Sequence, residues 1–271
     1  MRAPSLARHN MATQPATKYS RIDVELNAPV ARLSLNNPPL NIIDISMMEE
    51  LFEALTAIEA EPGISILIIS GSQKAFSAGV DIAAHAPKKV EQMLTKFHSV
   101  IRTLIASRKV SIAVVHGICL GGGAELAMVC DLVYTSELAT WGFPEIKLAC
   151  FPPVAVTALA ALVGQKHAAE LVLTGRSITG REAANIGLAN AVLPEVDLER
   201  ALQDAVHDLI QLSPAALSIT KKAIYAWDSI HFDKGLARAE KIYFDELMKT
   251  QDAQEGINAF LQKRPPAWKG K

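Results

Sequence analysis

Two glutamates in apolar surroundings are the residues of this 271-residue chain best suited to chemistry. Glu125 is followed by Leu126-Ala127-Met128-Val129, and Glu145 stands in Trp141-Gly142-Phe143-Pro144-Glu145-Ile146. A carboxylate among such neighbours is costly to ionise unless it is paired or used. Two of them can divide proton acceptance and donation where their environments push their pKa values apart. The alternative for each is structural, a helix cap or an arginine pair, and separation along the chain does not decide proximity.

Two glycine-rich stretches accompany the glutamates. Leu120-Gly121-Gly122-Gly123-Ala124-Glu125 leaves a predicted strand and enters a predicted helix, while Ala75-Phe76-Ser77-Ala78-Gly79-Val80-Asp81-Ile82 follows a buried strand and its turn. Glycines let backbone approach a ligand and aim N–H groups at it, and a helix N-terminus adds positive potential. Such a place suits a phosphate or a developing oxyanion, and equally a tight strand-to-helix turn. Neither stretch has the G-x-G-x-x-G spacing of a dinucleotide site or the Gly-Lys-Ser/Thr of a phosphate loop. The absence of a Gly-x-Ser-x-Gly elbow argues against a serine hydrolase. Of seven histidines, His98, His167, His207 and His231 fall in predicted helices and are expected at the surface or half-buried. His116 is expected to satisfy a backbone carbonyl. His85, just beyond Val80-Asp81-Ile82, is the one placed near the candidate chemistry, with a structural role the simpler reading.

These residues must be held by an alternation of strands and helices. Arg32 to Leu35 and Ile64 to Ser70 read as strands, the second a continuous apolar run as buried parallel strands require. Between them Asp44 or Ser46 can cap a helix whose Met48, Leu51, Phe52, Leu55 and Ile58 recur at three and four, and Pro62-Gly63 ends it. Met93 to Ala106 is a second amphipathic helix. Ser111 to Val115 is a strand, Gly121 to Cys130 a helix and Leu132 to Thr135 a strand. Beyond Gly164 the pattern is helical: Lys166 to Leu173, Gly180 to Ile186, Leu198 to Leu212, Pro214 to Tyr225 and Lys234 to Thr250. The reading is one α/β domain, residues 18–200 its core and 201–271 a helical region of the same domain.

Composition narrows the function. A net charge of −1 and a pI near 6.7 provide no basic field for nucleic acid. Lys221-Lys222 and Lys263-Arg264 read as solvated charges. Cys119, Cys130 and Cys150 form no C-x-x-C pair, which points away from zinc and disulfides and toward a reducing, cytoplasmic setting. The longest apolar run, Val154 to Val163, is too short to span a membrane and reads as a buried helix. Residues 1–17, with Arg2, Arg8 and no acid, read as a disordered extension ahead of Met11 or as a targeting segment.

Taken in order, these segments resemble the enoyl-CoA hydratase/isomerase (crotonase) family. Ala75 to Ile82, Ile118 to Tyr134 and Trp141 to Leu148 are similar to its two signature regions. Thr174-Gly175-Arg176, Ala183-Ala184 and Gly187-Leu188 resemble the stretch that follows. Ser213-Pro214-Ala215-Ala216-Leu217 and Glu255-Gly256-Ile257-Asn258-Ala259-Phe260 resemble its helical C-terminus. The resemblance runs from about Tyr19 to Lys271. It implies a spiral of repeated β-β-α turns, a helical trimerisation region, a homotrimer or homohexamer, and a CoA thioester substrate with no metal or redox cofactor. It implies that Val80 and Gly122 N–H groups form an oxyanion hole and that Glu125 and Glu145 are the catalytic pair. Ala78, Gly79, Asp81 and Gly121 fall in the substrate-binding segments, with backbone around Ala78 meeting the adenine. Phe260 and Lys263 match positions that contact CoA from a neighbouring subunit.

The chain also departs from ordinary hydratases. Their Leu-Gly-x-x-Pro-Gly-x-Gly-Gly-Thr run is here Leu148-Ala149-Cys150-Phe151-Pro152-Pro153-Val154-Ala155-Val156-Thr157. Pro39-Leu40-Asn41-Ile42-Ile43-Asp44 differs from the usual Ala-Leu-Asn-Ala form. With His85-Ala86-Pro87 and Cys119-Leu120-Gly121, these features resemble the cyclohexa-1,5-diene-1-carbonyl-CoA hydratases of anaerobic benzoyl-CoA breakdown. Trp141, Phe143, Phe151, Pro152 and Val154 are the expected wall of the acyl pocket.

Overall fold

The structure, a computed structural model, describes residues 19–72, 74–86, 89–225 and 228–270. The expected extension over residues 1–17 lies outside them. The chain opens with β1 (Ile22–Asn27) and β2 (Val30–Leu35), then α1 (Ile45–Ala60), β3 (Ile66–Gly71), β4 (Ala75–Ser77) and α2 (Val90–Ala106). β5 (Val110–Val115), β6 (Ile118–Leu120), α3 (Gly122–Met128), β7 (Leu132–Ser136), β8 (Thr140–Gly142), α4 (Pro153–Val163) and α5 (Gln165–Thr174) follow. Next come β9 (Ser177–Thr179), α6 (Gly180–Asn185) and β10 (Ala191–Leu193). The chain ends in α7 (Leu198–Ile210), α8 (Pro214–Tyr225), α9 (Asp228–Asp245) and α10 (Gln251–Leu261).

A six-stranded sheet has the order β1-β2-β3-β5-β7-β10, parallel from β2 onward, and a smaller sheet runs β4-β6-β8-β9. Each long strand β3, β5 and β7 is followed by a short strand of the small sheet and then a helical turn or helix. That repeat is the spiral. It stacks the ends of β4, β6 and β8 side by side, and the two glycine-rich stretches and Glu145 leave from those ends.

The large sheet is covered on both faces, as its unbroken apolar strands demand. Leu67, Ile69, Ala113 and Val115 join the core under α1 and α2, while Ile66, Ile68, Ile112 and Val114 meet Leu198 and Leu202 of α7. α1 is capped by Asp44, whose carboxylate accepts from Met47 N at 2.8 Å; Ser46 lies inside the helix. Phe52, expected on the buried face, is 46% exposed, and Ala54 occupies that face with Met47, Met48, Leu51, Leu55 and Ile58.

Four expectations need correcting. The segment Lys234 to Thr250 is not one helix: α9 stops at Asp245, and Thr250 caps α10 by accepting from Ala253 N. The run Val154 to Val163 is helical but half-exposed, with Val156 and Leu162 at the surface. His98 is fully buried on α2, its Nδ1 2.6 Å from Glu240 Oε1 of α9. Lys221 is buried as well, its ammonium 2.7 Å from Asp131 Oδ2; only Lys222 of that pair is solvated. Among the described residues no helix is long and apolar enough to cross a membrane.

Candidate active site

Gly121 caps α3 with a φ of +52°, and a Cβ there would sit 2.5 Å from Glu145 Oε1. Only a residue without a side chain lets the second glutamate lie against this turn. Gly122, the first residue of α3, is equally tight: a Cβ would stand 2.6 Å from Val80 Cγ2 and 3.5 Å from Val80 N. The two backbone amides therefore adjoin. Val80 is held by its neighbours, since Gly79 N donates to Ser77 Oγ and Asp81 N to Ile43 O. Ile43 and Val80 form a parallel bridge, so the Val80 N–H turns to the opposite side, toward Gly122. The first N–H groups of a helix have no intrahelical partner, which leaves the Gly122 amide open to a ligand.

The glutamates converge on the same cavity. Glu125, in the first turn of α3, is 3% exposed and accepts from Ala155 N at 2.9 Å in the first turn of α4, with Val154 N–H also facing it. Glu145 lies in a 3₁₀ turn (Pro144–Leu148); the residue is half-buried, but its Oε2 is buried and has no hydrogen-bond partner among the described residues. Burial pushes the Glu125 carboxyl up to about 7, its backbone hydrogen bonds acting against the shift. Burial and then the charge of Glu125 push Glu145 up to about 8. The pair thus holds a proton between its members near neutral pH, and proton-sharing carboxylates at close range behave in that way.

A cavity of about 80 Å³ lies between these groups. Ala78, Gly79 and Val80 line it from one glycine-rich stretch, Gly121, Gly122 and Glu125 from the other, and Glu145 from the third spiral turn. His85 also reaches it; its Nδ1 is 3.2 Å from Asp81 O, and burial lowers its pKa against the pull of the Asp81 carbonyl and charge. Asp81 stays outside, capping the 3₁₀ turn Ile82–His85 through Ala83 N. Phe260 and Lys263 are exposed and lie outside the cavity lining, although α10 packs on both 3₁₀ turns that flank it.

The acyl wall differs from expectation. Phe151 and Pro152 line the cavity, but Trp141, Phe143 and Val154 are buried behind it, Trp141 Nε1 donating to Thr135 Oγ1 at 2.9 Å. Met93, Leu94 and Phe97 of α2 and Tyr243 of α9 complete the wall instead. Sequence reasoning missed Tyr243; its spacing from Leu236 and Ala239, also buried, is the signal that marks an inward tyrosine. It also passed over Asn41, buried with a φ of +50°, whose Nδ2 donates to Ala75 O at 2.8 Å and ties the first glycine-rich stretch down. Among the described residues no cluster of His, Cys, Asp and Glu could hold a metal.

Comparison with known proteins identifies the family and the fold. The profile of the family described as enoyl-CoA hydratase/isomerase matches residues 25–271. A 2,3-dehydroadipyl-CoA hydratase of Escherichia coli is 38% identical over 91% of this chain and 94% of its own length. A cyclohexa-1,5-dienecarbonyl-CoA hydratase of Thauera aromatica is 32% identical over 94% and 99%. Among solved structures, an enoyl-CoA hydratase of Bacillus anthracis is 32% identical with a TM-score of 0.74, covering 93% of this chain and 100% of that one. One from Mycobacterium avium subsp. paratuberculosis is 27% identical with a TM-score of 0.84, again over 93% and 100%. This chain belongs to the enoyl-CoA hydratase/isomerase family and is a hydro-lyase of the enoyl-CoA hydratase type.

Proposed function

We propose that the protein adds water across the α,β double bond of an acyl-CoA thioester, with Glu125 and Glu145 as the acid–base pair. The observation that carries this reading is the convergence of the Glu125 and Glu145 carboxyls, both made harder to ionise by burial, on a cavity bordered by the Val80 and Gly122 amides. In the proposed reaction those two N–H groups donate to the thioester oxygen and stabilise the enolate as the water oxygen bonds to Cβ. Losing one such donor typically costs about 3–4 kcal/mol. The ionised glutamate takes a proton from the water and the protonated one delivers a proton to Cα, so the pair ends with the protonation states exchanged. No metal or redox cofactor takes part.

The acyl group proposed is compact and apolar. Met93, Leu94, Phe97, Phe151 and Pro152 surround the space, and among the described residues no Lys or Arg lines it to receive a distal carboxylate. Pro153 and Ala155, standing where hydratases have glycines, stiffen the wall beside Glu125. Both features favour a planar ring such as cyclohexa-1,5-diene-1-carbonyl over a linear chain. Backbone around Ala78 is proposed to meet the adenine, with Phe260 and Lys263 reaching the CoA of a neighbouring subunit in a trimer or hexamer in the cytoplasm. The exposed Ile219 and Ile224 of α8 are consistent with such assembly. Incubation with linear and cyclic enoyl-CoAs, followed by mass for the gain of water, tests the reading. The cyclic dienoyl-CoA is expected at a kcat/KM at least about tenfold above crotonyl-CoA, a difference of about 1.4 kcal/mol. Equal or faster turnover of crotonyl-CoA removes the ring preference, and no hydration of any enoyl-CoA removes the hydratase.

A further inference from the structure

Among the described residues of the C-terminal helical region, Tyr243 is the one that lines the glutamate cavity. It sits on α9, is 1% exposed, and packs its ring edge-on against Phe151 at 5.1 Å between centroids. Its Oη is buried and among the described residues has only the Cys150 thiol, a weak acceptor, within reach. The Cys150 thiol lies beside it but is turned to Leu148 O at 3.6 Å. A buried hydroxyl left without a partner costs about 1–3 kcal/mol, so an orphan of this kind in a cavity wall calls for a ligand.

A second orphan faces the same space. Among the described residues Glu145 Oε2 is a buried acceptor without a donor, and Tyr243 Oη is a buried donor with no acceptor better than the Cys150 thiol. They do not satisfy each other. A group that accepts from one and donates to the other satisfies both, and a hydroxyl or a water does so. The phenol stays protonated, because burial and the neighbouring Cys150 and glutamates raise its pKa far above the ordinary value.

We infer that Tyr243 Oη donates a hydrogen bond to the oxygen of the water that adds to the substrate, and to the hydroxyl that this water becomes. This rests on the hydratase reading. The water's two protons point to Glu125 and Glu145, one lone pair points to Cβ, and the other accepts from Tyr243. Four tetrahedral directions are then used, which fixes the attacking lone pair rather than leaving it to rotate. No proton leaves Tyr243 in the reaction; its hydrogen bond aligns the bound water for attack and persists to the product hydroxyl, so its loss leaves the thioester bound but the water misaligned and shows in kcat. The same contact lets the site tell a 3-hydroxyacyl-CoA from the saturated acyl-CoA, which lacks the hydroxyl.

The test is an affinity ratio. In a Glu125→Gln background, where turnover is slow, binding of 3-hydroxybutyryl-CoA and butyryl-CoA is measured with Tyr243 present and with Tyr243→Phe. The preference for the hydroxyacyl thioester is expected to fall about tenfold, the size of one neutral hydrogen bond. With both glutamates intact, Tyr243→Phe is expected to lower kcat about tenfold or more while KM stays within about threefold. An unchanged affinity ratio overturns the inference whatever happens to kcat, because a structural defect weakens both ligands together. If Tyr243→Phe does not fold, 4-fluorophenylalanine at position 243 fills the hydroxyl's space without a donor and gives the same ratio. Failure of the hydratase reading looks different: the unmutated protein then hydrates no enoyl-CoA.

Discussion

Two clusters of buried charge lie in this molecule, and they are built in opposite ways. Behind β5, Asp131 accepts from Ser111 N, Ser111 Oγ and Lys221 Nζ, all within 2.8 Å, and Lys221 also donates to Lys109 O. Lys109 in turn donates to Glu61 O and Ile64 O. At the other end, Glu125 has only backbone donors, Ala155 and Val154, Glu145 Oε2 has none among the described residues, and the Glu125 charge raises the cost of ionising Glu145. Burial of charge alone does not mark a functional site. What marks one is burial that the protein leaves incompletely satisfied, because the missing partner is the reacting molecule.

The contrast is sharpest in what each cluster loses on mutation. Glu125→Gln and Glu145→Gln are each expected to reduce turnover by at least the ~10²–10⁴ typical of a lost acid or base, with folding kept. Near-wild-type turnover in either variant takes that residue out of the mechanism and points to a single-base isomerase. Their stability should even move the other way. Both carboxyl pKa values are raised in the folded state, so the stability they give is full below the unfolded value near 4.5 and is lost as pH rises through about 7 to 8. Each Gln variant should therefore melt above the parent at about pH 8.5, and the gain should vanish toward about pH 5. A lower melting temperature at high pH contradicts the unsatisfied-pair account. Turnover should fall on both sides of the interval between the two pKa values, where one carboxyl is protonated and the other is not.

The satisfied cluster should behave in reverse. Lys221→Met leaves Asp131 buried without its cation and is expected to cost about 3–5 kcal/mol of stability by denaturant titration. Folded protein should keep its turnover. Adding Asp131→Asn should recover part of the loss, since the uncompensated charge goes with it. A Lys221→Met protein with unchanged stability but reduced turnover makes this cluster part of the active site and dissolves the distinction.

The sequence displayed the two ends unequally. The Glu125 and Glu145 surroundings are written in local apolar context, and Gly121 and Gly122 in a run that the sequence alone reads equally as a tight strand-to-helix turn. Long buried strands such as β3 declare themselves by composition. The three-residue strands β4, β6, β8 and β9 are too short for a period of two to show, yet they are what aligns the site. Lys221 looked like solvent-facing charge because its partner Asp131 is brought close only by the tertiary fold. Tyr243 and Met93 reach the cavity across long stretches of chain, and amphipathic spacing says that they are buried without saying what they face.

Backbone strain is also found beside the unsatisfied pair. Ala149, directly after the Glu145 turn, has a φ of +52° and stands where ordinary hydratases carry glycine. Its N–H donates to Ile146 O at 3.0 Å, and Cys150 N donates to Glu145 O at 3.1 Å, so the turn that carries Glu145 is held in this conformation despite the Cβ. A left-handed residue with a side chain costs about 1–2 kcal/mol, and glycine in its place gives back roughly 0.5–1 kcal/mol through its greater freedom in the unfolded chain. Ala149→Gly is therefore expected to stabilise the protein by only about 0.5–1 kcal/mol, or about 1–3 °C in melting temperature. Alanine that costs stability at this position is consistent with a residue retained for the shape of the acyl wall that begins at Cys150 and Phe151. If the glycine variant melts lower than the parent, the left-handed turn stores no strain, and strain drops out of the contrast between the two ends. If it melts higher and also loses the preference for a cyclic over a linear enoyl-CoA, the stiffness of this segment is part of how the site selects its substrate.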